Sequence, residues 1–242
     1  MNASEPVRPW TVFQAANRFR RVIRDFSPTP IPEQDVRALL TEAALAPSSG
    51  NLQPYQFHWL RDPSIKARVA QACNGQKAAM TAAELIVVVA SPELGRQTAL
   101  AQLEHIDTSD TLEQKFRDYH RAQIGKFQKI LGLGGSVWWW PLVFIAGWLR
   151  PSLSLLPVGH IGSRHWAARN ATFAAQTLML GAAAKGIDSC PMEGFSAPQV
   201  AKILGLPRGS VVPLVIALGY RADSARIEQR WRREEGDVVI TH

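Results

Sequence analysis

Small groups of residues, scattered from one chain end to the other, have the types and spacing to hold a phosphorylated redox ring. Arg20 and Arg21 lie ahead of the first long helical pattern, and Arg230 and Arg232 lie near the C terminus. Two arginine clusters at opposite chain ends are what one anionic group held by both termini requires, because guanidinium groups meet phosphate oxygens through paired, charge-assisted hydrogen bonds. Between them come Ser48, Ser49, Asn51 and Gln53 in one loop, Asn74 with Lys77 ahead of a strand, and the turn Pro191-Met192-Glu193-Gly194. A flavin mononucleotide makes three matching demands: fixed cations for its phosphate, short polar groups for its ribityl hydroxyls, and a donor or cation at the ring edge that becomes negative on reduction. Each group alone also has an ordinary role, as surface charge, as a turn or as a strand end. Composition does not bring them together; the elements between them must.

Those elements belong to a chain of 242 residues with 46% apolar and 19% charged residues, enough to bury a core and too apolar for a disordered chain. Two cysteines, Cys73 and Cys190, are too few and too distant for a disulfide scaffold and read as small core residues. The opening MNASEPVRPW lacks the apolar stretch of a signal peptide, so the cytoplasm is the expected compartment. The balance of 27 Lys+Arg against 20 Asp+Glu raises the question of a nucleic-acid partner. Nucleic-acid grooves interleave cations with aromatics. Here Trp138, Trp139, Trp140 and Trp148 fall within Ile130 to Leu149, which carries no charge at all, while the arginines gather elsewhere. No nucleic-acid partner is therefore expected.

Along the chain, Pro32 to Ala46 reads as a helix with Val36, Leu39, Leu40 and Ala43 on one face, stopped by Pro47. Pro47 to Pro54 is a turn-rich loop, Tyr55 to Leu60 a strand, Ile65 to Cys73 a short helix, and Leu85 to Ala90 a buried central strand. Arg164 to Lys185 predicts a helix buried on most sides with Gly186 as its stop. Ile187 to Pro191 is extended; Ser196 with Gln199 has the spacing of a capping box for a helix running to Leu204. Val211 to Leu218 is a further buried strand and Asp237 to Thr241 a candidate last one. Helices and strands mix without strict alternation, which predicts an α+β fold: one mixed, mainly antiparallel sheet flanked by helices. A single domain over 1–242 is expected, with a variable helical and Trp-rich excursion at about 93–162.

In order and spacing, the site pieces resemble the FMN-dependent nitroreductase family. Carrying the resemblance are Arg20-Arg21-Val22-Ile23-Arg24-Asp25-Phe26, Pro30-Ile31-Pro32, Ala46-Pro47-Ser48-Ser49-Gly50-Asn51-Leu52-Gln53-Pro54-Tyr55, Asn74-x-x-Lys77, Pro191-Met192-Glu193-Gly194-Phe195 and Arg230-x-Arg232. Together they cover about 15–92 and 160–241. The resemblance implies a nitroreductase-like fold and a homodimer with two FMN sites at its interface. It implies that Arg20, Arg21 and Arg232 hold the phosphate, with Arg230 where the family often has Lys. Pro47, Ser48, Ser49 and Asn51 approach the FMN bound mainly to the other subunit. Arg24, Asn74 and Lys77 face the polar ring edge, and the turn from Pro191 and Met192 into Glu193 and Gly194 places a backbone N–H near flavin N5. Val22 departs from a frequent Ser, removing one hydroxyl contact, and Tyr55 replaces a frequent Trp. The implied activity is ping-pong: NAD(P)H reduces the flavin, and an electron-poor nitroaromatic or quinoid acceptor reoxidises it, with no protein acid or base in the hydride step. The alternative readings are a specialised flavoprotein of the same fold, such as a dehalogenase, an enoyl reductase or a flavin-consuming enzyme, and a non-catalytic flavin- or membrane-binding protein.

Three other patterns are set aside. Gly132-Leu133-Gly134-Gly135 lacks the third spaced glycine of a dinucleotide loop. Glu104, His105, Asp107 and Asp110 read as a solvated helix face, so no metal site is expected. Ser48 has no Gly-x-Ser-x-Gly elbow around it. In the excursion, Val137 to Leu149 is 13 densely apolar residues, short for ~30 Å of hydrocarbon. Three readings stand for it: a wall of the acceptor pocket, an enlarged dimer interface, or peripheral membrane contact through 137–149 with Lys126, Lys129 and Arg150 at the lipid headgroups.

Overall fold

The computed structural model describes residues 8–132 and 159–242, together with Pro141, Ile145, Trp148 and Leu149. In chain order the elements are α1 (Pro9–Phe19), α2 (Glu33–Ala43), a 3-10 turn (Ser49–Asn51), β1 (Tyr55–Trp59), α3 (Pro63–Ala72), α4 (Lys77–Thr81), β2 (Glu84–Ala90), α5 (Pro92–Thr108), α6 (Gln114–Gly132), α7 (Gly159–Ala184), β3 (Asp188–Met192), α8 (Ala197–Leu204), β4 (Val211–Gly219) and α9 (Glu235–Val238). The four strands form one sheet in the order β1-β2-β4-β3, every neighbour antiparallel. The predicted parallel component is a single bridge, Val22 to Ser189, where the chain after α1 runs beside β3.

The sheet is the middle layer between two cores. Successive strand side chains point to opposite faces. On β2, Ile86, Val88 and Ala90 therefore enter a core shared with α2, α5, α6 and α7, while Leu85, Val87 and Val89 enter one shared with α3, α4 and α8. The central helix α7 is lined with small residues, Ala167, Ala171, Ala174, Ala175 and Ala182, all buried. It stops as its sequence predicts: Gly186 takes φ +72° and the Ile187 N–H bonds back to the Ala182 carbonyl at 2.8 Å. At the end of β4, Gly219 is required by packing, since a Cβ there would lie 2.7 Å from the Phe26 ring.

Several expectations need correction. No strand forms at 237–241; the chain makes the exposed turn α9 instead, with Val239 N–H on the Glu235 carbonyl at 2.8 Å. Val238, Val239 and Ile240 stay exposed, so β-branching found no sheet edge to join. The capping box at Ser196 does not close, because its backbone serves to dock α8: its N–H bonds the Ala72 carbonyl at 2.8 Å and its side chain makes no cap. Caps form unpredicted at Ser91, which accepts the Glu93 N–H at 3.2 Å, and at Asp62, which accepts from Ser64 and Ile65 N–H at 2.8 and 3.1 Å and starts α3 earlier. α2 ends at Ala43, ahead of Pro47. Neither α1, which has Val12, Ala15, Ala16 and Phe19 at helical spacing, nor the five-residue α4 was anticipated. In the excursion, α5 and α6 are helical; the Trp-rich run from 133 to 140 and its continuation to 158 lie mostly outside the described residues. Among the described residues no helix is long and apolar enough to cross a membrane.

Candidate functional site

The fold brings the two arginine clusters together. The tail after β4 returns across the end of α1, where Arg230 donates to the carbonyls of Arg20 and Arg18 at 2.8 and 3.0 Å. Arg21 in turn donates to the Glu228 carbonyl. The Arg20 guanidinium is held below its ordinary value, first by burial and then by the positive charges of Arg230, Arg232 and Arg21. Among the described residues none of these four arginines is in an ion pair. Four like charges gathered without a carboxylate repel one another, and an anion seated among them removes that cost. The donor set fits a dianionic phosphate.

Beyond the cluster, the chain from Val22 to Phe26 is fixed to the sheet edge through Ile23 N–H on the Ser189 carbonyl and the Phe26 to Arg221 bridge. Arg24 is exposed and close enough to Cys190 to oppose the upward push that burial gives that thiol. Lys77, at the start of α4, is not free at a ring edge. Its Nζ lies 2.7 Å from Asp25 Oδ2, an oxygen that also accepts from Ser224 Oγ at 3.1 Å. Asp25 and Ser224 are the site neighbours that sequence reading missed; a carboxylate next to an expected anion-binding run gave no signal of its own. The Lys77 hydrogen bond holds the Asp25 carboxyl below its ordinary value. The contact is therefore complete above the usual carboxylate range near pH ~3.9 and is lost as pH falls through the lowered value. An NMR titration of the Asp25 carboxyl is expected to show that lowered midpoint in the wild type and its return to the ordinary range in Lys77→Ala; equal midpoints would contradict the pair.

The two remaining ring-edge pieces meet each other. Asn74, in the left-handed conformation at φ +57°, donates from Nδ2 to the Gly194 carbonyl at 2.9 Å, and Gln76 donates to the same oxygen at 2.7 Å. Two side-chain amides on one carbonyl fix the peptide plane of the turn. Met192 is buried at the end of β3, Pro191 is half-buried, and Glu193 and Gly194 are exposed. Gln76 is a third residue that sequence reading passed over.

The Pro47 to Pro54 loop sits elsewhere. Ser48 Oγ accepts the Gln53 N–H at 3.0 Å, the Ser49 N–H is taken by the buried Asn170 Oδ1 of α7 at 2.7 Å, and Gln53 Nε2 donates to Asn51 Oδ1 at 3.1 Å. Pro47, Ser49 and Asn51 are exposed. This loop leads into β1, one edge of the sheet; the Arg20, Asn74 and Gly194 groups gather at β3, the other edge. Three inter-strand steps, about 14 Å, separate the two edges. Within one chain the two halves of the expected site thus lie on opposite sides of the sheet. Among the described residues no group of three His, Cys, Asp or Glu side chains could hold a metal.

A cavity of about 280 Å³ lies at another corner, lined by Glu33, Trp59, Arg61, Lys66 and Glu84 among others. Its charges are already satisfied: Glu33 pairs with Arg37 and Arg61, Trp59 donates to Glu84 and Lys66 to the Ala83 carbonyl.

Comparison with known proteins bears on the family and the fold. The family model of the nitroreductase family matches residues 18–220. The NADH dehydrogenase of Thermus thermophilus is 29% identical over 204 residues, 84% of each chain. The Bacillus subtilis protein MhqN, named as an NAD(P)H nitroreductase, is 27% identical over 92% of this chain and 95% of its own. Among solved structures, the nitroreductase YdfN of Bacillus subtilis superposes with a TM-score of 0.77 at 24% identity, over 96% of this chain and 100% of that one. A nitroreductase of Exiguobacterium sibiricum solved in complex with FMN superposes with a TM-score of 0.71 at 21% identity, over 100% of this chain and 99% of that one. With the family model spanning everything from the arginine pair before the sheet to the end of β4, the chain belongs to the nitroreductase family.

Proposed function

We propose that the protein is an FMN-dependent oxidoreductase that uses NAD(P)H to reduce electron-poor acceptors such as nitroaromatics and quinones. The observation that carries this reading is the cluster of Arg20, Arg21, Arg230 and Arg232, drawn from both chain ends and lacking a carboxylate partner among the described residues. The named activities of the similar proteins point the same way. When bound, FMN supplies the acceptance and donation of hydride.

The chain's own part is binding and electrostatics. The arginines hold the phosphate, the Asn74 and Gln76 amides orient the Glu193-Gly194 turn toward the ring, and Arg24 supplies positive charge on the ring's side of the site, while Lys77, its charge paired with Asp25, keeps N–H donors for the ring edge. No side chain has to carry a proton in the hydride step. A homodimer is part of the proposal, because the Ser48 to Asn51 loop and the arginine cluster sit on opposite sheet edges and a second copy offers each cluster a partner loop. The exposed apolar residues Trp10 and Phe13 of α1, Phe173 of α7 and Trp231 of the tail suit burial against that copy.

The purified protein is expected to be yellow, with an absorption band near ~450 nm that either NADH or NADPH bleaches anaerobically and a quinone restores. A colourless protein that takes up no FMN would overturn the reading. A yellow protein that neither pyridine nucleotide bleaches would reduce it to a flavin carrier. Sedimentation with anionic vesicles separates a peripheral membrane protein from one that remains in the supernatant.

A further inference from the structure

The turn from Ser49 to Gln53 is left-handed at three positions, and at Gln53 the residue type does not favour it. Gly50, Asn51 and Gln53 have φ of +60°, +55° and +42°. Glycine and asparagine visit the left-handed region readily, but for Gln53 it costs about 1–2 kcal/mol and persists only where the surroundings over-determine it.

Three helices supply that constraint. Asn170 of α7 takes the Ser49 N–H. Gln102 of α5 donates from Nε2 to the Asn51 carbonyl at 2.5 Å. Phe127 of α6 closes over Gly50, where a Cβ would lie 3.1 Å from its ring. Asn170 belongs to the central helix, but Gln102 and Phe127 belong to the α5–α6 hairpin inserted between β2 and α7. Without the hairpin the turn retains Asn170 and its internal bonds, and the outward side of Gly50 and Asn51 loses its support.

We propose that Gln102 and Phe127 are positioning residues that hold the Ser48 to Gln53 loop in its ligand-facing shape. The α5–α6 hairpin then governs flavin affinity through the loop's backbone. This rests on the reading that the loop faces the FMN of the other subunit. The physical reason is direct: a hydrogen bond from Gln102 and a ring against Gly50 act on consecutive residues of the loop, next to the hydroxyls of Ser48 and Ser49 that would meet the ligand.

The test compares wild type, Gln102→Ala, Phe127→Ala and Phe127→Leu by amide hydrogen exchange of the flavin-free protein and by FMN titration. The Asn51, Leu52 and Gln53 amides all donate within the turn and report its opening. A net hydrogen bond of about 0.5–1.5 kcal/mol predicts exchange at these amides about 2- to 10-fold faster in Gln102→Ala, with a matching rise in the FMN dissociation constant. Phe127→Ala should do the same, and Phe127→Leu, which keeps bulk over Gly50, should recover part of both. Amides of β2 and β4, deep in the sheet, serve as the control that each variant is folded and should keep their protection. Unchanged loop exchange in both alanine variants would overturn the proposal, as would faster exchange with unchanged FMN affinity. If the wild type binds no FMN, the proposed function fails while the exchange data still decide whether the hairpin holds the loop.

Discussion

Arg20→Ala is expected to weaken FMN binding by about 10- to 100-fold while leaving the flavin-free protein as stable as before or slightly more so. The two effects have opposite signs for one reason. A charge-assisted hydrogen bond to a phosphate is worth about 1.5–3 kcal/mol, which sets the affinity loss. In the flavin-free state, however, Arg20 is half-buried beside Arg230, Arg232 and Arg21, whose charges disfavour its own. Removing it relieves that repulsion. Titration of FMN by fluorescence quenching gives the affinity, and thermal unfolding of the flavin-free protein gives the stability. A fall in melting temperature with unchanged affinity would mean that the cluster holds the chain ends together and not a phosphate. Arg230→Ala provides the contrast, because Arg230 is bonded to the backbone carbonyls of Arg18 and Arg20 and so fastens the tail to α1. It should lower both quantities.

This cluster also shows what the sequence could convey and where it stopped. That arginines at both chain ends would meet in one cluster was legible because residue type and charge survive translation into three dimensions. The strands were legible as well: the β-branched runs at Leu85 to Ala90 and Val211 to Leu218 can be little else, and they became β2 and β4 nearly residue for residue. The failures were of another kind. Lys77 carries the right charge for a ring edge, but its neighbour in space, Asp25, is 52 residues away in sequence, and only the fold makes them a pair. Gln76 and Gln102 are ordinary surface residues by type; each matters through one carbonyl, on Gly194 and Asn51 respectively. Backbone acceptors are identical at every position, so no spacing rule marks which of them a distant amide will reach. The unformed strand at 237–241 failed for a related reason, since β propensity selects a partner-dependent state and the tail meets no edge among the described residues. The Ser-Ser-Gly-Asn loop was recognised, yet its separation from the arginines by the width of the sheet follows from strand order alone.

Asp188→Ala is expected to produce the largest loss of stability of any single change near the site, about 2–4 kcal/mol, with a fall in melting temperature of about 5–15 °C. Asp188 opens β3 with only 3% of its surface exposed. Its carboxylate accepts three hydrogen bonds from Arg221: the backbone N–H at 3.0 Å, Nε at 2.9 Å and Nη2 at 2.6 Å. The pair also raises the Arg221 guanidinium above its ordinary value, chiefly through that hydrogen bond. Breaking a buried pair by deleting one partner typically costs about 3–5 kcal/mol because the other charge is left unpaired. The lower range applies here because the Arg221 side chain is 33% exposed and can recover some hydration. Arg221 further lies over the Phe19 ring at 5.0 Å and forms the bridge to Phe26, so it joins the end of α1, the Arg20 to Phe26 run and the start of β3. Loosening it should therefore also weaken FMN retention, by displacing Arg20 and Arg21 without touching them. Asp188→Asn, which keeps an acceptor of the same shape, should lose less than half as much stability. A melting temperature for Asp188→Ala within a degree of wild type would show that the sheet edge and the arginine cluster are held by the apolar contacts of Ile23 and Phe26 alone.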